Sequence, residues 1–323
     1  MPWSAALHAW LRPRLAAAAA VLLAALASAG CATSARQLQA QPPPELPPQV
    51  ELADTPFFPD DSYFCGPAAL ATSLSAAGLP TQPEALVGQV FLPAREGSLQ
   101  IEMLAAARRR GAVATLIPAS LEALLRETAA GNPVVVLQNL GLSWAPSWHY
   151  AVAVGYDLER GSVLLRSGPM KRQELSLRTF EHTWRRGGQW AFVALPPGRL
   201  PATASEDETV RALVAFERTA PPAAALQAYR SALARWPGNP TLAMGLGNTL
   251  YAAGDKHGAE AAFRRVAEAH GLAAAYNNRA QVLLELGRRD EARAAARRGL
   301  AAAGPLRPQL LETLHAIDAP VSD

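Results

Sequence analysis

The chain has 323 residues, half of them hydrophobic, with 30 lysines and arginines against 27 acids and a formal net charge of +3. That length allows about two domains with a sizeable core, and so mild a charge excess does not point to a nucleic-acid binder. The late arginines Arg288, Arg289, Arg293, Arg297 and Arg298 alternate with alanine at helical spacing, with no aromatics among them, as on a solvated helix face.

The N-terminus reads as a targeting segment, residues 1–30, to be set apart from the fold. Arg12 and Arg14 precede an apolar run from Leu15 to Ala27, short of the ~20 residues of a comfortable membrane span. The run closes as Leu26-Ala27-Ser28-Ala29-Gly30-Cys31, which resembles a bacterial lipoprotein signal whose cysteine is acylated. Ser28 departs from the usual leucine, and an ordinary secretory signal with a stray thiol is the alternative. Ala32, rather than an aspartate, fits an outer-membrane destination. Residues 31–50, with Pro42-Pro43-Pro44, Pro47 and Pro48, read as an extended tether.

One α+β domain is expected over residues 51–197. A helix starts at Cys65, runs to Ala77 and stops at Gly78; Thr81-Gln82-Pro83-Glu84 reads as a capping box for a second. Ser98 is expected to cap Leu99–Arg110, and Ser120 to cap Leu121–Ala130. Strands are predicted at Val113–Ile117, at Val134–Gln138 (continuously apolar and so central), and at His149–Tyr156. Glu159-Arg160-Gly161 turns the last into Ser162–Arg166, and Trp190–Leu195 closes the set. Helices first and an antiparallel sheet afterwards argue α+β.

From about residue 206 to 305 the chain is alanine-rich, helical and repetitive. Ala225, Tyr229, Ala232 and Pro237 are echoed about 34 residues on by Leu246-Gly247, Leu250, Ala259 and Phe263, then by Ala280, Leu283, Ala292 and Ala296. This resembles about three tetratricopeptide repeats, which stack because one helix pair cannot bury its apolar face alone; a plain helical bundle is the alternative. Residues 306–323 read as a C-terminal tail.

With Cys31 acylated, Cys65 is the one remaining thiol. It is either a small buried residue opening a helix or a nucleophile, since helix-start N–H groups and the helix dipole lower a thiol pKa. A nucleophile needs a base. His8 lies in the leader, His257, His270 and His315 in the repeats, and His182 on a helical segment. His149 opens a strand between Trp148 and Tyr150, where aromatics shield it from water, a setting suited to a general base.

The runs Pro56-Phe57-Phe58-Pro59, Cys65-Gly66-Pro67-Ala68-Ala69-Leu70 and His149-Tyr150-Ala151-Val152-Ala153-Val154-Gly155-Tyr156-Asp157 resemble the papain-like cysteine peptidases that trim double-glycine leaders in bacteriocin exporters. A stand-alone lipoprotein branch with tetratricopeptide repeats is similar over more of the chain. The resemblance implies a papain-like fold, Cys65 as nucleophile and His149 as general acid/base, helped by an oxyanion glutamine and an orienting aspartate. Asp60 stands at the position of the glutamine and Ser167 at that of the aspartate. An anion at Asp60 would repel a developing oxyanion, and a lost oxyanion donor costs ~10²–10³ in rate. Asp157 is expected to be a hairpin residue rather than a substitute acid.

The sequence therefore predicts a lipid-anchored cysteine peptidase of a Gram-negative cell envelope, on the outer membrane facing the periplasm, acting on peptide or protein substrates and docking a protein partner through its repeats. No cofactor, metal or nucleic acid is expected. A degenerate peptidase fold that binds peptides or scaffolds an envelope complex is the alternative, with a transferase or amidase on the same pair a third reading.

Overall fold

The computed structural model describes residues 34–60 and 63–319. The leader and Cys31 lie outside them. What precedes the domain is not the extended tether expected. Ser34–Ala40 forms helix α1 and Gln49–Glu51 strand β1. Ala35, Leu38 and Leu46 are buried in the main core, and Glu181 accepts hydrogen bonds from Ser34 Oγ and from the Ala35 amide. The prolines end the helix, but the apolar residues between them have a core to enter, so this segment packs as part of the domain.

Helix α2, Cys65–Ala76, ends before Gly78, whose φ of 78° suits glycine. Helix α3 is Glu84–Val90, and strands β2 (Phe91–Leu92) and β3 (Gly97–Ser98) form a small hairpin leading into α4, Gln100–Arg109. The capping box does not form: α3 has no side-chain cap, and the Thr81 hydroxyl donates instead to Leu79 O at 2.9 Å. Nor does Ser98 cap α4; its hydroxyl is buried over Gly66 without a hydrogen-bond partner. Ser120 does cap α5, Leu121–Ala129, accepting from the Ala123 amide.

The strands that follow build the sheet. They are β4 (Val113–Leu116), β5 (Val134–Asn139), β6 (Trp148–Asp157), β7 (Ser162–Ser167), β8 (Met170–Ser176) and β9 (Ala191–Leu195), with helix α6, Leu177–Arg186, between the last two. Their order is β4-β9-β5-β6-β7-β8, every pair antiparallel, while β1 pairs with β6 beyond the end of β5. Strand β8 was not anticipated, because its exposed run Met-Lys-Arg-Gln-Glu carries little apolar signal at a sheet edge. Both faces of β5 are covered, which is why it reads as a continuous apolar run. Val134 and Val136 pack with α1, α5 and α6; Val135 and Leu137 pack with α2, α3 and α4. The start of α2 and the start of β6 come to the same end of this sheet.

The repeats are helix pairs: α7 (Glu206–Glu217) with α8 (Pro222–Arg235), α9 (Pro240–Ala252) with α10 (Lys256–His270), and α11 (Ala273–Glu285) with α12 (Arg289–Ala301). Small residues let large ones approach: a Cβ on Gly247 would fall 2.5 Å from the Phe263 ring. The expected tail is instead a helix, α13, Arg307–Asp318. Its Leu310 and Ile317 are buried against α11 and α12, closing the apolar end of the stack. The repeats sit firmly on the first domain. Val113 of β4 packs with Leu213 and Phe216 of α7, and the buried Glu127 carboxylate accepts from Asn132, Thr203 and the Ala202 amide across the junction.

Candidate active site

Helix α2 begins at Cys65 because Pro67 suits a helix's first turn and the run Ala68-Ala69-Leu70-Ala71 buries against the sheet. Gly66 is required there, since a Cβ would lie 2.3 Å from Ser98 Oγ. Ser98 closes over the helix start, and its carbonyl accepts from the Tyr150 hydroxyl at 3.2 Å. Phe64 packs edge-on against Phe91, 5.0 Å between centroids, tying the approach to α2 to the same hairpin.

A narrow crevice lies beside this helix start. Cys65, Asp60, Tyr150, Ser167 and Gly168 line it, together with Phe58 and Arg166. The half-buried Cys65 is the free thiol among the described residues. The Tyr150 backbone N–H is aimed at it, so the thiol meets β6 one residue past His149. The imidazole of His149 meets Ser167: Nε2 and Oγ are 2.9 Å apart. Strand register explains this, because β6 and β7 pair Val152 with Arg166 and bring the start of one to the end of the other. The position expected to orient the imidazole is in contact with it. Asp60 is also at the site, buried, its amide donating to Gly168 O at 3.1 Å.

Electrostatics differ from the expectation of a thiol lowered by its helix. Burial pushes the Cys65 thiol up. The Tyr150 N–H works against this, the charge of Asp60 adds to it, and the N–H groups of Gly66 and Cys65 oppose it less strongly. Desolvation outweighs the helix start because the sulfur is largely cut off from water. The same burial lowers His149, which the Asp60 charge partly offsets. Both groups are thus biased towards their neutral forms, and both feel the same carboxylate.

Asp157 is no substitute acid. It stands at the far end of β6, accepting from the Arg160 amide at 2.9 Å in the hairpin. His182 lies on α6 as expected. The sequence reading missed Arg166, a buried guanidinium that donates to Ala53 O at 3.0 Å, to Thr55 O and to Lys171 O at 2.6 Å. It ties the segment leading to Asp60 onto the strand that carries Ser167. An arginine inside an otherwise apolar strand was its one signal. Among the described residues no group of three or more His, Cys, Asp or Glu side chains could hold a metal ion.

Residues 43–192 match the Peptidase_C39 like family, and residues 222–278 match the tetratricopeptide repeat. Among solved structures, a putative C39-like peptidase from Bacillus anthracis is similar at 19% identity, over 46% of this chain and 97% of that one, with a TM-score of 0.39. MamA AMB-1 is similar at 23% identity over 35% of this chain, with a TM-score of 0.31; the match spans 62% of the MamA chain. None of the curated proteins matches this sequence.

Proposed function

From a chain that carries a Peptidase_C39-like domain followed by tetratricopeptide repeats, we propose that the protein is a cysteine peptidase with Cys65 as nucleophile and His149 as general acid/base. The observation that carries this reading is the crevice itself. The thiol faces the Tyr150 amide, and the adjacent His149 is held by Ser167 at 2.9 Å. With Nε2 engaged by Ser167, Nδ1 is the nitrogen left for the thiol proton. As that proton passes to Nδ1, the sulfur adds to the substrate carbonyl carbon. The Cys65 amide, at a helix start where N–H groups lack intrahelical partners, receives the oxyanion. The imidazolium returns the proton to the departing amine as the C–N bond breaks. Water, deprotonated by His149, then hydrolyses the thioester, releasing the acid and restoring the thiol. The Ser167 hydroxyl can donate or accept, so it orients either imidazole tautomer.

In this reading Cys31 carries the lipid, the chain works in the cell envelope, on the outer membrane facing the periplasm, and the repeats dock a protein partner or substrate. A second reading, a peptide-binding scaffold on a weakened peptidase fold, is favoured by one observation: the Asp60 charge that raises the thiol.

Alkylation of Cys65 by iodoacetamide, followed by mass spectrometry near neutral pH, separates the two. Because the thiol is held up by burial, the peptidase reading expects labelling to depend on the neighbouring base: His149→Ala slows it by ~10²-fold, within the range of general-base assistance. Labelling unchanged in His149→Ala leaves the scaffold reading.

A further inference from the structure

Half of the large apolar side chains exposed among the described residues flank the crevice in two short stretches of chain. Tyr63 and Phe64 stand beside the thiol, and Leu140, Leu142, Trp144 and Trp148 stand on the loop between β5 and β6. Trp144 is 82% exposed. From Asn139 to Trp148 the sequence carries no charge. The loop is nonetheless built firmly. Asn139 Oδ1 accepts from the amides of Gly141 and Ser147, Leu142 and Ala145 exchange backbone hydrogen bonds, and Arg186 clamps Asn139 O. A braced loop that holds tryptophan and leucine outward forms a projection, not a groove. Tryptophan and leucine beside arginine suit the interfacial layer of a bilayer.

The path of the chain says which way this end faces. Ser34 is bonded at Glu181, midway along α6, and α1 then runs away from the site, so that Gln39 lies against Gly161 in the far hairpin. Ser34, the first described residue, thus lies nearer the crevice end of α6 than Gln39 does. Cys31 precedes Ser34 by three residues, a reach of about 10 Å. From Glu181 to the end of α6 beside Asn139 is a shorter ~7.5 Å.

We propose that the loop between β5 and β6 seats Leu142 and Trp144 in the membrane interface, turning the crevice towards the lipid surface. The direction of approach rests on the reading of Cys31 as the anchored residue; the loop's own affinity does not. Such docking confines the site to substrates presented at the bilayer.

The test is co-sedimentation of the whole mature chain, made as Cys31→Ser to remove any acyl anchor, with vesicles of phosphatidylethanolamine and phosphatidylglycerol. This chain is expected to partition onto vesicles, and adding Leu142→Ser with Trp144→Ser is expected to weaken partitioning at least tenfold with circular dichroism unchanged. Adding Cys65→Ala instead should leave partitioning as it was, so failure of the peptidase reading does not disturb the result. Absence of an acyl group on the Cys31 chain, read from its mass, removes the anchor and leaves the loop result standing. Partitioning that ignores the two loop substitutions, or a Cys31→Ser chain that stays in solution at every lipid concentration, overturns the proposal. So does a loop variant that partitions normally but raises KM for a soluble peptide, since the loop would then be a peptide platform.

Discussion

The two walls of the crevice are made differently. On the strand wall, backbone register delivers His149 to Ser167, and the buried Arg166 guanidinium fixes the strand end to the segment that leads to Asp60. On the helix wall, Cys65 sits where N–H groups favour a thiolate, yet burial and Asp60 hold the thiol up. One wall is set by strand register and by hydrogen bonds to groups that keep one charge state; the other is a contest between helix N–H groups on one side and desolvation and a carboxylate on the other. On the peptidase reading proposed above, ionisation on the helix wall is expected to limit the chemistry more than placement on the strand wall.

The largest effect expected from this contrast is at Asp60. Asp60→Gln removes a charge that opposes both thiolate and oxyanion and supplies an amide donor at the crevice. If the position serves the oxyanion, kcat on a peptide substrate should rise by ~10², the scale of one such donor. Steady-state kinetics would decide it, and a rate that is unchanged or lower would place the limit elsewhere.

A smaller effect is expected on the strand wall. Ser167→Ala removes one neutral hydrogen bond, worth about 1 kcal/mol, from an imidazole still fixed by the backbone of β6. We expect kcat to fall about fivefold while KM holds. A loss as large as that of His149→Ala would mean that the hydroxyl does more than orient the ring.

The sequence made the positions legible and left the energetics hidden. Cys65 and His149 stood out because each begins an element, and a Cys-Gly-Pro start or an aromatic-flanked strand opening is a local pattern. Ser167 was locatable by counting along the next strand. Arg166 was not assigned a role, because its partners Ala53, Thr55 and Lys171 are backbone carbonyls and leave no trace in residue types. The tether expected over residues 31–50 fails across its described part, 34–50, for a similar reason: its prolines are visible locally, whereas the core that takes Ala35, Leu38 and Leu46 comes from α5, α6 and the sheet. Ser98 and Thr81 have capping chemistry at capping positions, but closure over Gly66 and the turn at Leu79 claim them instead. Local signals survive where tertiary contacts do not compete. The direction of the thiol's pKa shift is the clearest failure, since desolvation belongs to the whole fold.

The most finely graded test uses pH. Burial lowers His149 below the ordinary 6.5, and burial with Asp60 raises Cys65 above the ordinary 9.0. The thiol and imidazole are therefore both neutral across the interval between those values. The acid limb of kcat/KM, where His149 loses its function by protonation, should lie below pH 6.5. The Asp60 charge stabilises the imidazolium and destabilises the thiolate, so it raises both pKa values. Asp60→Asn must then move both the same way, downward. The acid limb should shift to lower pH, and the pH midpoint of Cys65 alkylation should fall with it. A variant in which the thiol midpoint falls while the acid limb stays fixed would show that Asp60 addresses the helix wall alone. The two walls would then be electrically separate, and His149 would not sense the group that governs Cys65.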